Sequence, residues 1–294
     1  MTIEPELSFV LCTRNRAQQV SACLNYVAEQ KTHHSFELVV VDNGSTDDTA
    51  TILADYAAKA LLPTVILYEG TTGVSRAKNV GWKAARGDII AFIDDDCYPA
   101  PDYIDRLLDA FKDPRIGFAG GRVDLYDRDD YPITIWTSND ATSIGAHRYV
   151  PPGLIPGVMG VRRRVLESIG GYDVDFGPGG RFHSAEDSDL QARACFAGWC
   201  GLYVPEAVVA HHHQRKAKDV PALLRSYSMG TGAYRVKFLL VPATRFVYLQ
   251  AWYWTLLSVA AGKYSLRNFL WEINGAARYL LYRFRLRLLA PRHI

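Results

Sequence analysis

The chain has 294 residues, 49% of them hydrophobic and 22% charged, with a net charge of +2. That length suits one or two domains and that composition a full apolar core, which excludes a disordered tail, a collagen-like fibre and a small disulfide scaffold. The five cysteines (Cys12, Cys23, Cys97, Cys195, Cys200) are scattered without a CxxC pair, so neither a disulfide framework nor a zinc knuckle is expected, and a reducing compartment fits best. The charge is unevenly placed: residues 1–210 carry 19 Lys and Arg against 29 Asp and Glu, whereas residues 211–294 carry 14 against two. An acidic part that calls for a cation is thus joined to a basic part that calls for an anionic surface. The opening MTIEPEL has no apolar run, so no secretory signal is expected.

In chain order, Leu7–Thr13 reads as a buried strand, followed by a polar stop and an amphipathic helix over Ala17–Glu29. Glu37–Val41 is a second strand, ending on Asp42-Asn43-Gly44-Ser45, and Thr46–Thr49 caps a helix over Ala50–Ala60. Thr64–Leu67 gives a third strand, Arg76–Ala85 a helix, and Asp88–Ile93 a fourth strand ending on Asp94-Asp95-Asp96. This alternation predicts βαβ units, hence an α/β fold with a mostly parallel central sheet buried on both faces. Ligands of such sheets lie beyond the carboxyl ends of the strands, so the three polar strand ends are expected to converge on one crevice. A helix over Tyr103–Phe111 follows, then short strands and loops in which Pro151–Gly160 and Gly177–Gly180 are mobile by composition. Glu186–Ala197 is a further helix and Gly201–His213 a last strand running into three histidines.

From Pro221 onward the chain is helical and aromatic, and a domain boundary is expected after His213. Phe246–Gly262 lacks formal charge over 17 residues, at the lower edge of a membrane-crossing length. Tyr279–Leu289 interleaves Leu, Phe and Tyr with Arg283, Arg285 and Arg287, the pattern of a helix lying in an anionic membrane surface. Two readings of this segment stand: peripheral attachment to a membrane, or a helical subdomain or dimer contact that packs its aromatics in protein.

The chemistry starts at Asp94-Asp95-Asp96. Three adjacent carboxylates at a strand end repel each other, and a divalent cation (Mn²⁺ or Mg²⁺) bridging them to phosphate oxygens would offset that cost. Strand alternation places Asp94 and Asp96 on the same side. Asp42 can accept a hydrogen bond from a base or ribose, with Gly44 allowing close approach, or else close a local turn. Arg14, Arg16, Arg76 and Lys78 are candidate phosphate neutralisers. Glu186-Asp187 opens a helix, where a carboxylate stays ionised as a general base must. His211 and His213 are expected on one face, with His212 on the other, and an imidazole can complete an oxygen-rich metal shell. There is no GxxxxGK[ST] loop, GxGxxG fingerprint, GxSxG elbow or HExxH helix.

The ordered set CTRNR (Cys12–Arg16), VVVDNGSTDDT (Val39–Thr49), SRAKNVGWKAARGDIIAFIDDDC (Ser75–Cys97), GVRRRVLESIGGYD (Gly160–Asp173), AEDSDLQAR (Ala185–Arg193) and VPEAVVAHH (Val204–His212) resembles the inverting glycosyltransferases of family 2, which have the GT-A fold. The resemblance implies a GT-A domain over residues 1–213 and transfer of a single sugar from a nucleotide-diphosphate sugar, a UDP-sugar first, to the hydroxyl of a glycan or lipid-linked acceptor. It implies a nucleotide site at Thr13, Arg14, Asn15, Arg16, Asp42, Asn43, Gly44, Arg76, Lys78, Asp94 and Asp95. Asp94, Asp96 and His211 would ligate the metal, Asp187 would act as catalytic base beside Glu186, and Gly177–Gly180 would close over the donor. A cytoplasmic protein, peripheral on the inner membrane and without a nucleic-acid partner, fits this reading. The QxxRW motif of processive synthases is missing, and residues 214–294 match nothing in the family's pattern. A nucleotidyltransferase remains as an alternative, although Arg14-Asn15-Arg16 lacks the glycine of a triphosphate loop, and so does a non-catalytic scaffold.

Overall fold

The structure is a computed structural model that describes residues 4–59 and 61–289. Its first half alternates strands and helices as the apolar runs dictate. Strand β1 (Leu7–Thr13) is followed by α1 (Ala17–Ala28), β2 (Phe36–Asp42), α2 (Thr49–Ala58), β3 (Thr64–Tyr68), α3 (Val74–Ala84) and β4 (Ile89–Asp94). Strands β3, β2, β1 and β4 are neighbours and all parallel. Side chains alternate across this sheet: Leu7, Phe9 and Leu11 enter one core and Val10 the other. Burial on both faces is why these strands read as continuous apolar runs rather than as alternating ones.

The second half makes the sheet mixed. After β5 (Cys97–Pro99) and α4 (Tyr103–Ala110) come β6 (Ile116–Leu125), β7 (Thr142–Ile144), β8 (Met159–Arg162), α5 (Arg163–Ile169), α6 (Glu186–Phe196) and β9 (Cys200–His211). Strand β8 pairs antiparallel with both β4 and β6, and β9 runs parallel to β6. The last strand ends two residues before the expected His213. Asp95 and Asp96 form a turn between β4 and β5, so the alternation expected to align Asp94 with Asp96 does not apply. What brings Asp96 to the crevice is long-range: β5 pairs antiparallel with β9 in a register that sets Cys97 opposite His211.

The C-terminal segment forms α7 (Val220–Leu239), α8 (Arg245–Ala260) and α9 (Leu266–Leu289). Helices α7 and α9 cross closely because both carry glycine at the contact. A β-carbon on Gly232 would lie 1.8 Å from the Glu272 carbonyl oxygen, and one on Gly275 would lie 1.9 Å from that of Met229. The three helices share one core with the α/β part, in which Tyr234, Phe238, Tyr248 and Tyr279 pack with Phe176, Phe182 and Leu190. Lys237 bridges Asp173 and the fully buried Asp189 of α6, and Tyr282 donates to Asp175 at 2.8 Å. The aromatic residues of this segment therefore divide between the two expected readings. Tyr234, Tyr248 and Tyr279 are core, whereas Phe246, Tyr253, Trp254 and Phe284 are exposed. No helix of the described residues is long and apolar enough to cross a membrane.

Candidate active site

A crevice of about 1000 Å³ opens beyond the carboxyl ends of β1 and β4. It is bordered by Thr13, Arg14, Arg16, Asn43 and Asp94–Asp96, by Glu186, Asp187 and His211, by Tyr227, Ser228 and Arg235 of α7, by Tyr264 of the α8–α9 connection and by Glu272 of α9. Two of the three strand ends thus converge as the parallel sheet predicts. Asn43 brings the third, but its side chain is tied to backbone. It donates to the carbonyls of Glu69 and Thr71 at 2.9 Å and accepts from the Gly73 amide at 2.8 Å.

Other expected residues lie off the crevice wall. Asp42 turns its carboxylate to the Ser45 amide at 2.9 Å, the local turn anticipated as its alternative role. Gly44 closes that turn with φ +71°, Asn15 accepts from the Thr46 amide at 2.7 Å, and Arg76 is exposed on α3. Lys78, expected at the diphosphate, instead donates to Asp187 Oδ1 at 3.0 Å from a buried position 4.9 Å from the Tyr172 ring centre.

The acidic cluster is differentiated by its neighbours. Asp95 accepts from Thr13 Oγ1 at 2.7 Å, yet burial pushes its pKa up to about 7. Burial would also raise Asp96, but the hydrogen bond and charge of His211, together with Arg16 and Arg215, hold it below the usual carboxylate range. Asp94 faces the crevice; desolvation by the walls raises it, as do Asp96 and Asp187, against the pull of Lys78. His211 Nε2 lies 3.4 Å from Asp96 Oδ1, while its Nδ1 faces the Thr134 carbonyl at 3.2 Å. A carbonyl can only accept, so Nδ1 carries a proton, and Nε2 faces the Asp96 carboxylate, where its own proton donates and where a bound cation would take that proton's place. Ligand atoms of Asp96, Cys97 and His211 lie within 4.8 Å of one another, and Asp94 stands outside that group. The Cys97 thiol is pushed well up by burial and then by Asp94, so the donor set offered to a hard cation is carboxylate and imidazole. His213 packs its ring against His211, centres 5.0 Å apart, while His212 turns away to Tyr98 and Tyr126.

Glu186 and Asp187 form the first turn of α6, after a strained approach in which His183 and Ala185 both have positive φ. Burial, then Asp187, pushes Glu186 up to about 8, so at neutral pH it is largely protonated. Asp187 is clamped between Lys78 and the backbone: a β-carbon on Gly157 would fall 2.0 Å from Asp187 Oδ2. Gly157 belongs to the stretch expected to be mobile, and here that stretch is a wall of the crevice. The Gly177–Gly180 loop borders it too, docked through the Val74 amide, which donates to the Pro178 carbonyl at 2.9 Å.

The sequence model for glycosyl transferase family 2 matches residues 8–170, more than half of the chain. The chain belongs to this family. Among curated relatives, the glycosyltransferase AglE of Haloferax volcanii is 30% identical over 41% of this chain and 40% of its own length. An N-acetylglucosaminyltransferase of Sinorhizobium fredii is 27% identical over 68% of this chain and 51% of its own. The chain thus spans about half or less of these relatives. Among solved structures, the mannosyltransferase PcManGT of Pyrobaculum calidifontis, in complex with GDP-Man and Mn²⁺, superposes with a TM-score of 0.64 at 21% identity, over 97% of this chain and 83% of that one. Staphylococcus aureus TarS 1–349 with UDP-GlcNAc gives a TM-score of 0.64 at 16% identity, over 93% and 80%. At these identities the likeness is one of fold, and it runs over nearly the whole chain, the GT-A α/β part and the C-terminal helices together.

The wall built by α7 and α9 was not legible in the sequence. Tyr227, Arg235 and Glu272 sit at ordinary helical positions and Tyr264 in the α8–α9 connection, and only the docking of those helices turns them to the crevice. Arg235 and Glu272 form a buried pair whose carboxylate also accepts from Tyr264 at 2.6 Å.

Proposed function

We propose that the protein transfers one sugar, with inversion at the anomeric carbon, from a nucleoside-diphosphate sugar to an acceptor hydroxyl. The observation that carries this reading is the position of the Asp187 carboxylate, fixed by Lys78 and Gly157 at a helix start, in the same crevice as Asp94, Asp96 and His211. Asp187 would accept the acceptor's proton as its oxygen attacks the anomeric carbon. The bond from that carbon to the β-phosphate oxygen breaks on the opposite face, and its electron pair stays on the diphosphate. The nucleoside would lie beside Thr13–Arg16 and the acceptor beside the wall of α7 and α9. Asp94, Asp96 and His211 suit a divalent cation such as Mn²⁺ or Mg²⁺, which when bound would supply positive charge to offset the negative charge developing on the diphosphate.

The exposed faces of α8 and α9 support peripheral membrane attachment, which would bring the crevice to a lipid-linked or envelope-glycan acceptor at a cytoplasmic face. Phe246, Leu249, Tyr253, Trp254, Leu281 and Phe284 are exposed there, alongside the exposed cations Arg245, Lys263, Arg267, Arg278, Arg283 and Arg285. Glu272, the one acid of these two helices, is buried against Arg235, so the outer surface is cationic and apolar together.

The test is calorimetry with UDP, GDP, dTDP and CDP, each with Mn²⁺ and with a chelator, followed by release of nucleoside diphosphate from the matching sugar donor. Metal-dependent binding of one diphosphate, lost in Asp96→Ala, is expected. Asp187→Asn should abolish turnover while keeping that binding. Consumption of a nucleoside triphosphate with pyrophosphate release would move the protein to the nucleotidyltransferases, and silence across the panel would move it to the scaffolds.

A further inference from the structure

The segment after β9 brings a cation to the crevice that no pattern in the sequence singled out. Its anchor is the buried Asp130 carboxylate, which accepts from the Gln214 amide at 2.8 Å and from Lys216 Nζ at 2.9 Å. The Tyr131 amide donates to the Arg215 carbonyl at 2.8 Å, and the Arg215 amide donates to His213 Nδ1 at 3.0 Å. Gln214, at φ +56°, makes the reversal. This knot of backbone contacts sets Arg215 into the crevice wall together with Asp96, His211 and, from α7, Tyr227.

Arg14 at the crevice border is exposed to solvent, and three other cations near the crevice are already engaged. Arg16 lies 3.8–3.9 Å from Asp95 and Asp96, Lys78 holds Asp187, and Arg235 holds Glu272. Arg215 differs: among the described residues its Nη1 is buried with no hydrogen-bond partner. A buried guanidinium nitrogen left without an acceptor is costly, and a planar fork of N–H donors matches the oxygens of a phosphate. Its neighbours Asp96 and His211 are the groups expected to hold the cation that accompanies a diphosphate.

We propose that Arg215 is a further catalytic residue, which donates to the β-phosphate of the bound donor and meets the charge left on that phosphate as the sugar departs. This rests on the donor reading above. The bond between the anomeric carbon and the β-phosphate oxygen breaks with its electron pair on the oxygen, the acceptor's proton goes to Asp187, and Arg215 keeps its protons throughout. A charged donor fixed beforehand by the Asp130 knot needs no reorganisation at that moment.

Calorimetry of UDP, UMP, GDP and GMP, with Mn²⁺ in excess, on the wild type, Arg215→Gln and Arg215→Lys tests this. The diphosphate should lose about ten- to a hundredfold in affinity in Arg215→Gln while the monophosphate of the same base is unchanged, and Arg215→Lys should keep part of the difference. An unchanged ratio of diphosphate to monophosphate affinity in folded Arg215→Gln overturns the proposal. Equal loss of both nucleotides also overturns it, because that marks a structural role. If Arg215→Gln does not fold, the ratio in Arg215→Lys decides, since a lone ammonium cannot reproduce the fork. Failure of the wild type to bind any of the four nucleotides would instead remove the donor reading itself, and this inference with it.

Discussion

Gly157→Ala isolates the placement of Asp187, the proposed catalytic carboxylate, from its chemistry. The added methyl would lie 2.0 Å from Asp187 Oδ2 and 2.7 Å from its Cγ, whereas ordinary contact begins at 3.4 Å, so the two must part by about 1.4 Å. The loop cannot easily supply that movement. Val158, next to the glycine, and Ile155, two residues before it, are core residues, and the Ile155 carbonyl accepts from the buried Gln191 at 3.0 Å. Asp187 must therefore give way, which also breaks its 3.0 Å contact with Lys78. A misplacement of this size costs on the order of a hundredfold in rate, about 2.7 kcal/mol of barrier. Diphosphate release from the sugar donor should fall by that factor, while calorimetric affinity for the diphosphate stays at the wild-type value. In an Asp187→Asn background the alanine should cost nothing more, because the group it displaces is already inactive. Wild-type turnover in a folded Gly157→Ala protein would refute the argument, and so would a parallel loss of diphosphate binding.

Glu186 has a folded pKa raised from 4.5 to about 8, so between those values the folded state holds a proton that the unfolded state has lost, and stability falls as pH rises through this window. Glu186→Gln should therefore melt higher than the wild type at pH 8, with the gap closing toward pH 5. Because the glutamine mimics the protonated acid, turnover at neutral pH should change little; a gap independent of pH would show that Glu186 does not titrate there. At the outer face of α8 and α9, the protein should sediment with phosphatidylglycerol vesicles at low salt and not with phosphatidylcholine vesicles, each arginine near the surface adding ~1 kcal/mol. Phe246→Glu with Trp254→Glu should abolish the association, and equal sedimentation of that variant would rule out this face as the contact.

The sequence by itself determined the alternation of strands and helices in the sheet's first half and its parallel character, not the order of the strands. Runs such as LSFVLCT and DIIAFI, short and alternating with helical stretches, read as buried strands, and their polar ends had to emerge at one edge, because parallel strands place all their carboxyl ends together. Asp94–Asp96 was singled out for that reason and the Glu186-Asp187 pair because it opens a helix, with the histidine run marking where the last strand stops. Local pattern failed where a residue's role depends on a distant partner. Asp96 meets His211 through the β5–β9 pairing and not through alternation, and Lys78 meets Asp187 across 109 positions of chain. Gly157, Arg215 and the polar wall of α7 and α9 carry no periodic signal of their own. Their place in the site is decided by how helices and loops pack, at distances a single sequence does not encode locally, and the same docking sorted the C-terminal aromatics into a buried set and an exposed one.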